Sequence, residues 1–407
     1  MLSDQLRRVG PVRGIAVVAV GAAVALPVTK PVFDDALDDD APVPAPAAAN
    51  GPRALPPSAS TPAVVTSADR EAERAAREEA ARRTESRRRA SAIRRSGALV
   101  VTGFSGTTLP PATARQLRSG ALGGVILMGR NITDAGQVRR LTDAVRAAAE
   151  AGGRPTPVIA VDQEGGEVRR LRFAAPERSA RRIGARDAYA EGQRTGGDLF
   201  RVGINVDLAP VADSGPKSSF LRERTFADAP ATTAVAACAF AAGLSSTGVR
   251  PTLKHFPGLG RAGATSTDAA DVTVSVATAV LRADLAPYTR CAGEPRTLVM
   301  PSSARYPGLT GPEPAVLSSR TYRLLRETTG NPRPVTITDA LDAGALRGRP
   351  DAAWKAVRAG ATFVLTTLPG DAARLREQLA DAIRRGRLRP SHVNRSSTRA
   401  RAFRERL

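Results

Sequence analysis

The sequence predicts an α/β fold, a TIM-like (β/α)8 barrel. Two observations predict it. Eight short apolar runs rich in β-branched residues fall at 98–104, 123–129, 156–162, 203–210, 250–256, 296–302, 334–340 and 361–367. Ala/Arg-rich helical sequence separates most of them, the layout of buried parallel strands joined by crossover helices. Eight such units in the last 310 or so residues suit a closed barrel. A doubly wound sheet is the alternative, but no G-x-G-x-x-G follows the first strand.

The elements ahead of the barrel differ in character. Arg7, Arg8 and Arg13 precede an apolar run from Gly14 to Val28. A basic region followed by an apolar one is the layout of a secretory signal or an uncleaved anchor. The run is shorter than the ~20 residues a spanning helix needs, and it consists mostly of Ala, Val and Gly. Ala23-Val24-Ala25 and Ala47-Ala48-Ala49 are candidate cleavage sites; no cysteine follows that could carry a lipid. Cleaved or not, the segment (1–30) would leave the rest extracytoplasmic, secreted or anchored to the cell membrane, because the arginines stay on the cytoplasmic side. A cytoplasmic tail is the competing reading. Residues 31–66, rich in Pro, Ala and Asp, read as a flexible linker. Residues 67–95 read as a charged, solvated helical spacer: Glu73/Arg77, Glu78/Arg82, Glu79/Arg83 and Glu85/Arg89 pair at i,i+4, with no apolar stripe beyond Ala. The barrel is assigned to 96–407.

Charge and cysteine content limit the function. Lys and Arg number 60 against 39 Asp and Glu, a formal net charge of +21. Lysine occurs only at positions 30, 217, 254 and 355, so the excess is almost all arginine, as in Arg/Ala-biased genomes. The basic residues read as scattered, and aromatics are 4%, too few for base-stacking platforms; nucleic-acid binding is not expected. Cys238 and Cys291 match no metal motif. They could pair in an oxidising compartment, or each could be a small buried hydrophobe.

In a barrel, chemistry sits at the C-terminal ends of the strands. Asp162 closes the third strand, Asp207 the fourth, Lys254 and His255 the fifth and Asp339 the seventh. Singly, Asp207 could cap a turn, Asp339 could cap a helix and His255 could be a core histidine. Together they would set carboxylates, a lysine and a histidine around one mouth.

These segments carry a resemblance. DQEGGEVRRL (162–171), NVDLAPVAD (205–213), ERTFADAP (223–230), KHFPG (254–258) and ITDALDAGA (337–345) resemble, in chain order, the landmarks of family 3 glycoside hydrolases. The chain is most similar to the single-barrel bacterial β-N-acetylglucosaminidases that act on cell-wall sugars, and GGVILMGRNI (123–132) agrees with their second strand. The resemblance implies a glycosidase with a carbohydrate substrate, no cofactor and no metal, expected to be a monomer. It implies that Asp162, Arg224, Lys254 and His255 hold the sugar hydroxyls. It implies that Asp339 is the nucleophile of a retaining mechanism, which needs an ionised carboxylate to trap the oxocarbenium-like carbon.

The match also breaks. In the acetylglucosaminidases an Asp-supported His, the general acid/base, follows KHFPG; the corresponding positions here are Thr265 and Thr267. The family's Met-x-x-His reads Met300-Pro301-Ser302-Ser303, and His392, the chain's other histidine, lies in a charged tail segment. A missing general acid costs about 10²–10⁴ in rate. Three readings follow: a catalytically inactive glycan-binding or scaffold barrel; an acid role for Asp268, whose ordinary pKa of about 3.9 would have to rise by burial or beside Asp271; or a substrate that has a good leaving group or supplies its own acid.

Overall fold

The computed structural model describes residues 66–268, 271–294 and 296–407. The signal-or-anchor segment and residues 31–65 of the linker lie outside the described residues. Helix α1 (Ser67–Ser96) comes first, with a capping box between Thr66 and Asp69. The barrel then runs β1 (Val100–Thr102), α2 (Pro111–Ser119), β2 (Gly124–Leu127), α3 (Ala135–Glu150) and β3 (Val158–Val161). A short antiparallel hairpin, β4 (Gln163–Gly165) and β5 (Val168–Arg169), leads to α4 (Ala180–Arg201) and β6 (Val206–Asp207). Next come α5 (Pro230–Ser246), β7 (Thr252–Phe256), the consecutive helices α6 (Thr278–Asp284) and α7 (Ala286–Cys291), and β8 (Leu298–Pro301). The series continues with α8 (Pro307–Thr310), α9 (Ser319–Thr329), β9 (Val335–Ala340), α10 (Ala352–Ala359), β10 (Phe363–Thr366), α11 (Asp371–Arg384) and α12 (Pro390–Arg404).

Eight strands form one parallel sheet in the order β6-β3-β2-β1-β10-β9-β8-β7. Its two ends meet: Val206 bridges to Arg250, with Asp207 N–H donating to the Arg250 carbonyl at 2.9 Å and Arg250 N–H donating to Asn205 at 2.9 Å. The barrel is therefore of the (β/α)8 type, each predicted run supplying one strand. Burial explains the composition of the runs. Strands β1, β2, β3 and β10 are buried at every residue, so side chains on both faces must be apolar or satisfied. The exceptions are threonines whose hydroxyls close gaps in the ladder. Where the β9–β10 register shifts, Thr362 Oγ1 accepts from Thr336 N–H, Thr336 Oγ1 from Thr362 N–H and Thr338 Oγ1 from Leu365 N–H.

The outer helices bury one face each. In α3, Asp134 caps the first turn, and Val138, Leu141 and Val145 point inward at helical spacing. Helix α1 departs from the reading as a wholly solvated spacer. Its first turns are exposed and carry the expected Glu–Arg ion pairs. Its last turns dock on α11 and α12, burying Ala92 and Ser96, and Arg89 donates to the Arg384 carbonyl at 3.3 Å. Alanine is small enough for close helix contact, which is why no larger apolar stripe was needed. Cys238 on α5 and Cys291 on α7 form a disulfide, with Cα atoms 5.7 Å apart. None of the described helices is long and apolar enough to cross a membrane.

Candidate active site at the barrel mouth

The C-terminal ends of the strands enclose a cavity of about 360 Å³. Asp162, Arg224, Lys254, His255, Asp268 and Asp339, the residues given sugar-binding or catalytic roles from the sequence, all line it. Glu164, Arg170, Phe220, Thr267, Met300 and Arg347 complete much of its wall.

One side is a buried charge network. Lys254 Nζ lies 2.8 Å from Asp162 and 2.6 Å from Glu164. The Arg224 guanidinium forks onto Glu164, Nε at 2.8 Å and Nη2 at 2.9 Å. Burial opposes ionisation of Glu164, but Arg224 and Lys254 hold its carboxyl down to about 2. Burial likewise opposes the charge on Lys254; Asp162 and Glu164 override it and raise the lysine above its ordinary range. Glu164, Lys254 and Arg224 are thus held in their charged forms, and the cations are oriented before any ligand arrives. The turn that delivers Glu164 needs glycine: Gly165 has φ 97°, and a Cβ there would stand 2.3 Å from the Arg178 carbonyl oxygen.

The second side is an Asp–His pair. His255 Nδ1 lies 2.7 Å from Asp213 Oδ2, and Asp213 also accepts the backbone N–H groups of His255 and Leu259. The Lys254–His255 peptide is cis, and both side chains reach the mouth.

Across from these, Asp339 ends β9. Ser303 Oγ donates to its Oδ2 at 2.9 Å, and Ala340 N–H donates to its Oδ1 at 2.9 Å. Burial raises its pKa above the ordinary value; His255 works against that rise and the charge of Asp268 adds to it. Asp268 itself is exposed at the rim, its N–H and carboxylate engaged by Ser266. Asp271 is held by Arg305. Thr267, at the position where the resembling family carries histidine, is buried in the wall, and its carbonyl and that of Asp268 accept from Ala345 and Gly344. Asp207 does not reach the cavity. It lies fully buried beneath it, Oδ1 accepting from Gln163 N–H and Oδ2 without a hydrogen-bond partner, and burial pushes its pKa well up.

Sequence reasoning missed three residues. Glu164 and Asp213 sat inside segments that carried the resemblance, but nothing local marks which carboxylate in DQEGG or NVDLAPVAD meets a cation. Ser303 was read as a loss, whereas its hydroxyl contacts the residue read as the nucleophile.

The sequence model of the "Glycosyl hydrolase family 3 N terminal domain" matches residues 99–402. The chain belongs to glycoside hydrolase family 3. Among curated members, it is 34% identical over 274 residues to beta-hexosaminidase LpqI of Mycobacterium tuberculosis, covering 63% of this chain and 70% of that protein. It is 36% identical over 222 residues to the beta-hexosaminidase of Pseudomonas aeruginosa, covering 53% of this chain and 65% of that one. Among solved structures, the family 3 β-N-acetylglucosaminidase of Paenibacillus sp. str. FPU-7 superposes with a TM-score of 0.71 at 27% identity, over 77% of this chain and 62% of that one. This family 3 chain is therefore β-N-acetylhexosaminidase-like in sequence and fold.

Proposed function

We propose that the protein is a retaining glycosidase of β-linked N-acetylhexosamines in cell-wall glycans, with weakened acid catalysis. The observation that carries this reading is Asp339: a carboxylate at the end of a barrel strand, oriented by Ser303 and a backbone N–H and set in one cavity with the ion-paired Asp162–Lys254–Glu164–Arg224 network. In this reading Asp162, Arg224, Lys254 and His255 grip the sugar hydroxyls, with Asp213 holding the imidazole. Asp339 attacks the anomeric carbon to form a glycosyl-enzyme that water then opens. With threonine at 265 and 267, Asp268 is the remaining carboxylate on the loop that lines the cavity, and protonation of the leaving group falls to it or to the solvent.

The test compares two substrates on the full chain, 4-nitrophenyl and methyl N-acetyl-β-glucosaminide. Turnover of the nitrophenyl glycoside alone, abolished in Asp339→Ala and retained in Asp268→Ala, is the expected result. Turnover of both, with loss in Asp268→Ala, would assign the acid to Asp268. Unchanged turnover in Asp339→Ala would remove the nucleophile assignment.

A second reading rests on Thr267 and the exposed Asp268: a barrel that binds glycan without cleaving it. Saturable binding of N-acetylglucosamine with no turnover of either substrate would favour it. We also propose an extracytoplasmic location, supported by the basic-then-apolar segment to Val28 and by the Cys238–Cys291 bridge, which suits an oxidising compartment. Protease digestion of intact cells tests it, and a protected protein would count against it.

A further inference from the structure

The opposite end of the barrel holds a larger cavity, of about 780 Å³. It opens where β7, β8 and β9 begin, far along the strands from the mouth. Arg250, Arg296, Arg333, Arg399 and Arg406 line it, against the single carboxylate of Glu294. A neighbouring cavity of about 540 Å³ shares Arg333 and Arg399, adds Arg326, Arg358 and Arg395, and has no carboxylate in its wall. Eight arginines that read as scattered along the chain are therefore gathered here by the fold.

Many arginines elsewhere sit in ion pairs, and these do not. Elsewhere the acids are used: Asp381 alone holds Arg385 and Arg387, and Glu191 holds Arg178 and Arg194. Arg250, Arg296, Arg333, Arg399 and Arg406 have no ion pair among the described residues. Arg250 is only 7% exposed; its Nη2 donates to the Arg406 carbonyl, and its Nη1 is buried without a hydrogen-bond partner. Burial, then Arg296 and Arg406, push its guanidinium below the ordinary arginine range. Arg399 is fixed by neutral acceptors alone, Thr362 Oγ1 at 3.1 Å, the Gly360 carbonyl at 2.8 Å and Ser396 Oγ at 3.1 Å.

Like charges gathered around a concavity repel one another and focus a positive field into it. A bound anion relieves that repulsion. Five guanidiniums exceed what one carboxylate can neutralise, whereas phosphate offers several oxygens and more charge in the fork geometry that arginine matches. We propose that this arginine-lined base is a second binding site of the protein, separate from the mouth, and that it holds phosphate groups. The phosphate is carried on a soluble molecule or on a lipid headgroup; the chemistry is the same.

The test is titration calorimetry of the full chain with pyrophosphate at low ionic strength, beside flotation with phosphatidylglycerol and phosphatidylcholine vesicles. Saturable pyrophosphate binding that weakens with salt is expected, reduced at least about tenfold in Arg296→Glu/Arg406→Glu. Both side chains are exposed, and Arg333→Glu serves if that pair fails to fold. Arg87→Glu/Arg88→Glu, on exposed positions of α1, makes the same change in net charge away from the cavity and should leave binding near the starting value. Capture by phosphatidylglycerol but not phosphatidylcholine vesicles, lost in the cavity variant, assigns the phosphate to a headgroup. Pyrophosphate binding without vesicle binding assigns it to a soluble ligand. Binding to neither probe, or equal weakening by the α1 variant, overturns the proposal.

Discussion

At the scale of single residues, the mouth works by giving each carboxylate a different environment. Glu164 is buried among cations and stays ionised; Asp207 on β6, hydrogen-bonded to the neighbouring Gln163 N–H, is buried without an ion pair and is pushed up. The sign for Asp207 follows from linkage. Its folded pKa lies above its unfolded one, so its contribution is fully present below about pH 4 and is lost as pH rises toward the folded value. Asp207→Asn keeps the acceptor for Gln163 N–H and removes the titration. The variant should melt above the parent at pH 8, and the gap should narrow toward about pH 4 in thermal scans. Asp339 must be ionised to attack, and its pKa is also raised, so kcat/KM should fall on the acid side of a limb displaced upward from that of an ordinary aspartate. Ser303→Ala removes a hydrogen bond to the ionised form. It should move that limb to higher pH and lower kcat/KM roughly tenfold on the acid side, read from a pH–rate profile with the nitrophenyl glycoside.

At the scale of elements, β7 and α1 show how far a local pattern reaches. Strand β7 delivers Lys254 and His255 to the mouth, and both find partners on other strands: Asp162 after β3, Glu164 on β4 and Asp213 after β6. The strand itself was legible from its apolar run and the KHFPG end; its partners were not, because they come from 42 to 92 residues upstream. Helix α1 was legible from its i,i+4 pairs, but the docking of its last turns depends on α11 and α12, nearly three hundred residues on. Its two halves should respond differently to mutation. Ala92→Leu, at a fully buried contact, should cost about 1–3 kcal/mol by overpacking. Glu79→Ala, in an exposed pair with Arg83, should stay within about 0.5 kcal/mol. Urea unfolding of the two variants separates the docked turns from the solvated ones.

For the whole molecule, the barrel sorts its charge. Carboxylates and their cations meet at the C-terminal ends of the strands, and a cluster of five arginines with one carboxylate lines the cavity at the N-terminal ends. The Cys238–Cys291 bridge ties α5 to α7 across a separation of 53 residues, and a loop of that size is worth about 4 kcal/mol of chain entropy. Cys238→Ser/Cys291→Ser should therefore unfold at markedly lower denaturant than the parent. Adding reductant should bring the parent down to the variant and leave the variant unmoved. Two free thiols in unreduced protein purified from its own host would refute the bridge.

By itself, the sequence determined the eight-stranded barrel, because strand and helix are written in short-range apolar periodicity. It determined the family, because landmark segments such as DQEGG and KHFPG keep their order along the chain. Barrel topology, which sends every strand's C-terminus to the same mouth, placed Asp162, Lys254, His255 and Asp339 there but also Asp207, which lies outside the cavity; the resemblance added Arg224 and Asp268. Only the tertiary structure decided which of those charges pair. It decided that Asp213 holds His255, that Ser303 contacts Asp339, that the two cysteines meet, and that arginines spread over 157 positions of chain converge at the base. These are contacts between residues distant in sequence. Their energies depend on separation and burial in three dimensions, which no local pattern of residues records.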